Sequence, residues 1–287
     1  MTATSGNDAR AGVLAAGIGF TEGPLWTADG RLLVVVTSRG LVAQIDLDGA
    51  GVVGTIDTGG GPNGLAETGD GTVWVAQNGV VRRGGSQRGV PPGLQRILGA
   101  DVTQVAVPHA MAPNDLAVGP DGRIWFTDPG PGASGPGRLC AHDPSTGCTS
   151  VLLDGIGYPN GLAIDGDLVY LAWTDAGHVT RHHWTGDRLD VADVPLVLPA
   201  GGPDGLALDT DRRLYAAAPD ADAVVVFEPD GRPGRTIRFD EPTFPTNLCF
   251  AGPDLDVLVV TAAKGGRVLI VDDLGGARGL PLCRGGW

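Results

Sequence analysis

The chain has 287 residues, a net charge of -13 and 42% hydrophobic residues. A surface this acidic argues against nucleic acid and anionic membranes as partners, because both are recognised by basic surfaces. The hydrophobic share supports a large core and argues against disorder. No apolar run approaches the roughly 18 residues of a membrane-spanning helix. The length alone is compatible with one or two domains.

The first ten residues, MTATSGNDAR, lack the basic start and the apolar core of a signal peptide. We expect residues 1–10 to be a disordered N-terminus and the protein to be cytoplasmic. The four cysteines form no C-x-x-C pair. Cys140 and Cys148 flank the turn-like sequence AHDPSTG, so a disulfide between them is one alternative. Free thiols are the other, and a cytoplasmic protein favours them.

One sequence pattern occurs six times. Each copy combines a short apolar run, a tight turn and a strand-like stretch, and the copies cover residues 21–36, 62–77, 113–128, 159–173, 203–218 and 246–261. A key polar residue opens each copy, and successive key residues are 41 to 51 positions apart. This period is typical of the blades of a β-propeller.

Each repeat contains four strand patterns separated by turn signals. The unit 113–154, for example, contains DLAV, RIWFTD, RLCAHD and CTSVLLD. We therefore predict an all-β fold, a six-bladed β-propeller with four antiparallel strands per blade, as a single domain over residues 11–287. The segments 11–17 and 277–283 lie outside the repeats, and we expect them to pair or pack together and so close the ring.

The key polar residues are predicted to ring one mouth of the central channel, because the first strand of each blade lines that channel. They are Glu22, Asn63, Asn114, Asn160, Asp204 and Asn247. The alternative is that they bond their own backbone at a turn, which suits Asn63 and Asn247 better than Glu22. Two converging carboxylates repel each other unless a proton or cation lies between them. Carboxylate and amide oxygens suit a hard cation such as Ca²⁺.

Other polar residues are expected at the same mouth. The connections between second and third strands reach it, as do the segments that lead into each first strand. They bring Arg39, Asp128, His109 and His178 there, and we interpret these four as substrate-binding. The adjacent histidines at 182 and 183 point to opposite faces of a strand, so we interpret them as structural.

Five motifs occur in order over residues 12–283: EGPLW, PNDLAVGPDGRIWFTDP, PNGLAID, PDGLALD and NLCFAGPDLDVLVVT. Together they resemble the senescence marker protein/gluconolactonase/LRE family of six-bladed propellers, in its bacterial gluconolactonase-like branch. The resemblance implies one divalent cation, held by Glu22, Asn114, Asn160 and Asp204. By the same resemblance, Asn63 and Asn247 would either support these ligands from outside or bind substrate, and we predict the second. Ca²⁺ is the first choice, and Zn²⁺, Mn²⁺ and Mg²⁺ are alternatives.

The resemblance also implies hydrolysis of a small lactone, in which the metal polarises the carbonyl group. Asp204 is then the candidate general base that activates water. Attack by a metal-bound hydroxide, with Asp204 only a ligand, is the alternative.

Some positions depart from the family pattern. Ala112 stands where some members carry an arginine that contacts a sugar-like substrate, and no aromatic residue follows FTDP. Ser38 and Arg39 follow the second strand of the first blade, where an aspartate is common. The substrate is therefore open. The metal site could also serve another reaction, such as an isomerisation or a different ring opening, or the propeller could be a non-catalytic, metal-stabilised binding protein. We expect a small-molecule substrate and a monomer or weak homo-oligomer.

Overall fold

The computed structural model describes residues 11–79, 89–130, 136–193 and 195–285. The predicted disordered N-terminus, residues 1–10, lies outside these ranges. The described residues form 25 β-strands and two short 3₁₀ helices, Thr37–Arg39 and Pro219–Ala221. Neither helix is long enough to cross a membrane, and no other helix occurs in the described ranges.

The strands form six sheets that follow one another along the chain. β1 is Ala11–Ala15. Blade 1 contains β2 (Thr21–Trp26), β3 (Leu32–Val36), β4 (Leu41–Asp46) and β5 (Gly51–Asp57). Blade 2 contains β6 (Pro62–Glu67), β7 (Val73–Gln77), β8 (Gly93–Leu98) and β9 (Asp101–Val105). Blade 3 contains β10 (Leu116–Val118), β11 (Ile124–Asp128), β12 (Gly137–His142) and β13 (Thr149–Ile156).

The second half of the chain repeats this order. Blade 4 contains β14 (Pro159–Asp165), β15 (Leu168–Trp173), β16 (His178–Trp184) and β17 (Leu189–Val191), and the short β18 (Leu196–Val197) also pairs with β16. Blade 5 contains β19 (Leu206–Leu208), β20 (Leu214–Ala218), β21 (Ala223–Phe227) and β22 (Pro233–Arg238). Blade 6 contains β23 (Pro245–Ala251), β24 (Val257–Ala262) and β25 (Arg267–Val271). All these pairings are antiparallel, and the predicted six-bladed propeller is confirmed.

The core lies between neighbouring blades. The second strands β3, β7, β11 and β20 are buried along their whole length. A strand that packs on both faces needs apolar residues on both, which explains continuous runs such as LLVVV. Val35 of blade 1, for example, shares a buried cluster with Val73 and Val75 of blade 2.

The ring closes through β1, which pairs with β25 as the outermost strand of blade 6. The register aligns Ala11 with Val271. The C-terminal segment does not take the predicted place beside β1. It crosses the end of the channel where the inner strands finish: the Leu280 N–H donates to Leu208 O at 2.8 Å, and the Gly69 N–H donates to Arg284 O at 2.7 Å. We call residues 278–285 the tail.

A cavity of about 270 Å³ lies in the channel above the tail. One leucine from every inner strand lines it: Leu25, Leu65, Leu116, Leu162, Leu206 and Leu248. These leucines give the cavity an apolar wall, and Glu67 and Arg284 add charged groups at the tail end. The four cysteines are free thiols, which decides between the two alternatives for Cys140 and Cys148.

Candidate metal centre and active site

The key polar residues are held by the backbone at the start of the inner strands. The Asn114 N–H donates to Thr127 O at 2.8 Å, and the Asp204 N–H donates to Ala217 O at 2.9 Å. Both acceptors belong to the second strand of the same blade. The inner-strand pairing therefore extends beyond β10 and β19 to include the candidate ligands, and each ligand is fixed to its own blade.

Hydrogen bonds also link these residues from one blade to the next. The Gly64 N–H donates to Asn114 O at 2.8 Å, and the Gly161 N–H donates to Asp204 O at 3.1 Å. The glycines permit this approach, because a Cβ on Gly161 would lie 2.2 Å from Asp204 O. The glycine after the key residue in the PNGLA motif therefore reflects close contact between blades.

The Glu22 and Asp204 carboxyls converge at the mouth, where Glu22 is buried and Asp204 is half-buried. Glu22 is 5% exposed, and burial is the largest cause that raises its pKa well above the usual range. The charge of Asp204 raises the pKa of Glu22 further. The pKa of Asp204 is also raised, first by burial and then by the charge of Asp115. Such a pair favours a proton or a cation between its members.

Asn160 is oriented by its neighbours. Its Nδ2 donates to Thr174 Oγ1 at 3.1 Å, and Thr174 Oγ1 donates in turn to Pro203 O at 2.7 Å. A hydrogen bond from the Asn160 side chain lowers the pKa of Asp204. With the NH₂ group engaged in these contacts, the side chain presents its carbonyl oxygen as a ligand.

Asn63 and Asn247 behave differently. The buried Asn63 Oδ1 has no hydrogen-bond partner, so the backbone alternative does not account for this residue. Asn247 Oδ1 accepts the Leu248 N–H at 2.8 Å, so it does bond the adjacent backbone. Asn247 also lies one residue deeper in the channel than the sequence repeat implied. Thr246 O accepts the Gly205 N–H, just as Asp204 O accepts the Gly161 N–H, so Thr246 and not Asn247 is the counterpart of Asp204.

The sequence analysis missed Asp115. It is buried, its Oδ1 accepts the Leu116 N–H at 2.9 Å, and its Oδ2 accepts the Leu162 N–H at 3.1 Å. Burial raises the pKa of Asp115 to about 6. The charge of Asp115 also raises the pKa of both Glu22 and Asp204. A signal was available in the sequence: the third repeat reads PNDLA where the second and fourth read PNGLA.

The four other predicted substrate-binding residues differ in exposure. Asp128 is fully buried and forms an ion pair with Arg138 at 2.8 Å, and it accepts the backbone N–H groups of residues 111 and 112. It therefore holds the segment before Asn114. His109, in that segment, is exposed with a left-handed backbone at φ 63°.

Arg39 and His178 lie at connections between second and third strands. Arg39 is exposed, and its Nη2 donates to Gly17 O at 3.0 Å. His178 is half-buried and stacks on Trp173 with ring centroids 6.1 Å apart. Arg39 precedes β4 and His178 begins β16, so neither residue lies on an inner strand.

The donor set fits a hard cation. Two acidic side chains converge, amide oxygens lie beside them, and one of these, Asn63 Oδ1, is buried without a partner. Among the described residues, no group of three or more His, Cys, Asp or Glu could hold a metal ion. A cation here would therefore depend on amide oxygens, which Ca²⁺ accepts and softer metals do not prefer.

Fold and site define a class, the six-bladed β-propellers with an oxygen-lined polar site at one mouth of the channel. A family model described as the SMP-30/Gluconolactonase/LRE-like region matches residues 20–264, and the chain belongs to this family.

Relatives and solved structures agree with this placement. A pentonolactonase from Haloferax volcanii is 32% identical over 159 residues; the match covers 53% of each protein, about half the relative's length. A gluconolactonase from Zymomonas mobilis is 24% identical, with 88% of this chain and 78% of the relative covered. The structure of regucalcin from Agrobacterium tumefaciens, described as calcium-binding, superposes with a TM-score of 0.79 at 18% identity, covering 98% of each chain.

Proposed function

We propose that this protein is a divalent-cation-dependent lactonase. The convergence of the Glu22 and Asp204 carboxyls beside amide oxygens carries the proposal, because a buried pair of acids needs a cation or proton between them. The named lactonases among the relatives support the same reaction class. The natural substrate is then a small lactone.

Glu22, Asn114, Asn160 and Asp204 would hold the cation, and calcium suits this set best. When bound, the cation supplies Lewis acidity that polarises a carbonyl oxygen. The Asn63 amide, with its unpaired oxygen, is suited to contact a hydroxyl group of the substrate.

Asp204 is the proposed general base. Cation binding would keep this carboxylate ionised, so that it can accept a proton from a water molecule at the site. Asp204 takes a proton from the water that attacks the lactone carbon. The ring C–O bond then breaks, and the proton passes to the ring oxygen, giving a hydroxy acid. The Asn160 side chain, which hydrogen-bonds to Asp204, holds that carboxyl in position.

The test is proton release from aldonolactones, simple γ- and δ-lactones and aryl esters. Metal-stripped protein is assayed with and without Ca²⁺, Mn²⁺ or Zn²⁺. We expect metal-dependent turnover that falls by about 100-fold or more in Glu22→Ala and Asp204→Ala. His183→Ala is the control, because this side chain is 55% exposed on β16, the third strand of blade 4.

Turnover that survives both substitutions contradicts the proposal. Metal binding without turnover of any compound would instead favour a binding propeller or a different reaction at the same site.

A further inference from the structure

A second ring of residues lies directly below the candidate ligands in the channel. It consists of Gly23, Gly64, Asp115, Gly161, Gly205 and Asn247. The glycines lie against the next blade: a Cβ on Gly23 would approach Asn63 O to 2.2 Å. Four of the six positions in this ring therefore have no room for a side chain, and only Asp115 and Asn247 supply one.

These two side chains lie over the glycines. A Cβ on Gly64 would come within 2.6 Å of Asp115 Oδ1, and a Cβ on Gly205 within 2.1 Å of Asn247 Oδ1. Ring positions without side chains therefore provide the space that the two polar groups fill. The glycines and the two side chains form one packed layer across the channel.

Asp115 and Asn247 are held in the same way in two opposite blades, 3 and 6. The Asp115 N–H donates to Thr127 Oγ1 and the Asn247 N–H to Thr261 Oγ1, both at 3.0 Å. Each side-chain Oδ1 accepts the N–H of the following leucine. At Gly64, Gly161 and Gly205, by contrast, the N–H donates to a backbone carbonyl of the next blade. The Gly23 N–H donates to Glu22 Oε2 at 3.3 Å.

The two side chains link the ligands to one another. Asp115 Oδ2 accepts the N–H of Leu162, two residues after Asn160, so it joins the strand of Asn114 to the strand of Asn160. The Asn247 side chain lies near the carboxyls of both Glu22 and Asp115, and its amide acts to lower the pKa of each. Asp115 and Asn247 also line the channel cavity that lies above the tail, so they stand between that cavity and the mouth.

We propose that Asp115 and Asn247 form one positioning unit that fixes Glu22, Asn114 and Asn160 relative to one another for cation binding. The proposal rests on the proposed metal site. Asp115 has both oxygens engaged by backbone N–H groups and acts as a support beneath the ligands. Asn247 keeps the Glu22 carboxyl turned toward the site, so it is a positioning residue and not the substrate contact that the repeat suggested.

The experiment measures calcium affinity by calorimetric titration of metal-stripped protein, together with the melting temperature of the metal-free form. Asp115→Asn and Asn247→Leu should each weaken calcium binding by about 10- to 100-fold. The double variant should bind calcium about as tightly as whichever single variant has the lower affinity. The effects of substituting two residues of one unit do not add.

Asp209→Asn is the matched control. Asp209 is a fully buried aspartate that follows the inner strand of blade 5 at the tail end, where it accepts from the Arg213 N–H and the Tyr215 hydroxyl. This change should lower the melting temperature and leave calcium affinity unchanged. If Asp115→Asn does not fold, Thr127→Val is the milder test, because Thr127 Oγ1 accepts the Asp115 N–H. It should weaken binding by about threefold to tenfold.

Several results would overturn the positioning unit. If Asp115→Asn or Asn247→Leu binds calcium with wild-type affinity, the substituted residue is only a structural contact. The same holds for Asp115 if Thr127→Val is used in place of Asp115→Asn and keeps wild-type affinity. Additive losses in the double variant would show two independent residues. A wild-type protein that binds no divalent cation would overturn this proposal and the metal site together, whereas binding without lactone turnover would overturn only the lactonase.

Discussion

Asn63 differs from the other amides of the mouth at the level of single atoms. Asn160 donates through its NH₂ group and Asn247 accepts through its oxygen, but Asn63 Oδ1 is buried and unpaired. A buried acceptor without a partner costs free energy, so such atoms are rare in folded proteins and mark places that need an explanation. Contact with a ligand is the explanation that the proposed function provides.

Asn63→Ala should therefore affect substrate binding more than folding. The free energy of unfolding should change by less than about 1 kcal/mol, because no hydrogen bond to Oδ1 is lost. KM should rise several-fold. Urea denaturation and steady-state kinetics check the two parts, and a large loss of stability with unchanged KM would assign Asn63 to the fold.

Gly161→Ala tests the close approach between blades 4 and 5. The added Cβ would lie 2.2 Å from Asp204 O, which is backbone and cannot move without the strand. We expect a loss of about 1–3 kcal/mol in the free energy of unfolding and weaker calcium binding. Gly166→Ala is the control. Gly166 lies in a turn where an added Cβ would meet nothing within 4 Å, although its φ of 60° is strained for alanine. This variant should keep wild-type calcium affinity.

Much of the site was predictable from the residues. The entry positions of the six repeats located Glu22, Asn114, Asn160 and Asp204, because first strands line the channel in any propeller. The position of Asn247 along its inner strand was predicted one residue too close to the mouth. The sequence contained the signal, because Asn247 directly precedes Leu248, whereas one residue separates Asn114 from Leu116. The contacts of Asp115 could not be predicted, because they depend on where neighbouring blades place their N–H groups.

Among the structural elements, the tail is the one that the repeats do not explain. Its Arg284 Nε donates to Glu67 Oε2 at 2.8 Å, and the same oxygen accepts the Ala28 N–H at 2.7 Å. The Glu67 side chain is 3% exposed. The tail therefore supplies the counter-charge for a buried carboxylate and connects blade 5 to blades 1 and 2.

Arg284→Ala should destabilise the protein by about 1–3 kcal/mol, because it leaves the Glu67 carboxylate buried with less compensation. Lactone turnover should change little, since the tail lies at the opposite end of the channel from the mouth. Chemical denaturation of the single variant and of Glu67→Gln/Arg284→Ala checks this. The double variant should recover part of the loss, and an equal or greater loss would show that the ion pair is not the cause.

The strands were predictable because buried second strands carry continuous apolar runs and turns carry Gly-Asp signals. The tail was not, since it has no counterpart among the repeats and its partners lie far away in the sequence. Its apolar residues suggested packing, but the sequence contained no indication of which end of the channel they cover.

For the whole molecule, the buried acids couple cation binding to pH. Burial raises the pKa of Glu22, Asp204 and Asp115, the last to about 6, so the metal-free fold holds protons there more tightly than the unfolded chain does. This contribution to stability is present at low pH and is lost as the pH rises through the folded-state pKa values. A cation bound at the proposed site would replace those protons.

The increase in melting temperature on adding calcium should therefore grow from about pH 5 to about pH 8. The buried histidines titrate in both forms, so their effect cancels in the difference. Paired thermal melts with calcium or with chelator at each pH provide the measurement. A calcium-induced shift that is constant across this range would show that the three acids do not exchange protons for metal.

Closure of the ring by β1 has a consequence for how the chain folds. Ala11 pairs with Val271, so β25 keeps an open edge until its partner β1 returns to it. The loop that must close runs from residue 11 to residue 271 and includes all six blades. Contacts this distant slow folding, so a circular permutant that carries residues 11–15 after blade 6 should refold faster than the natural order.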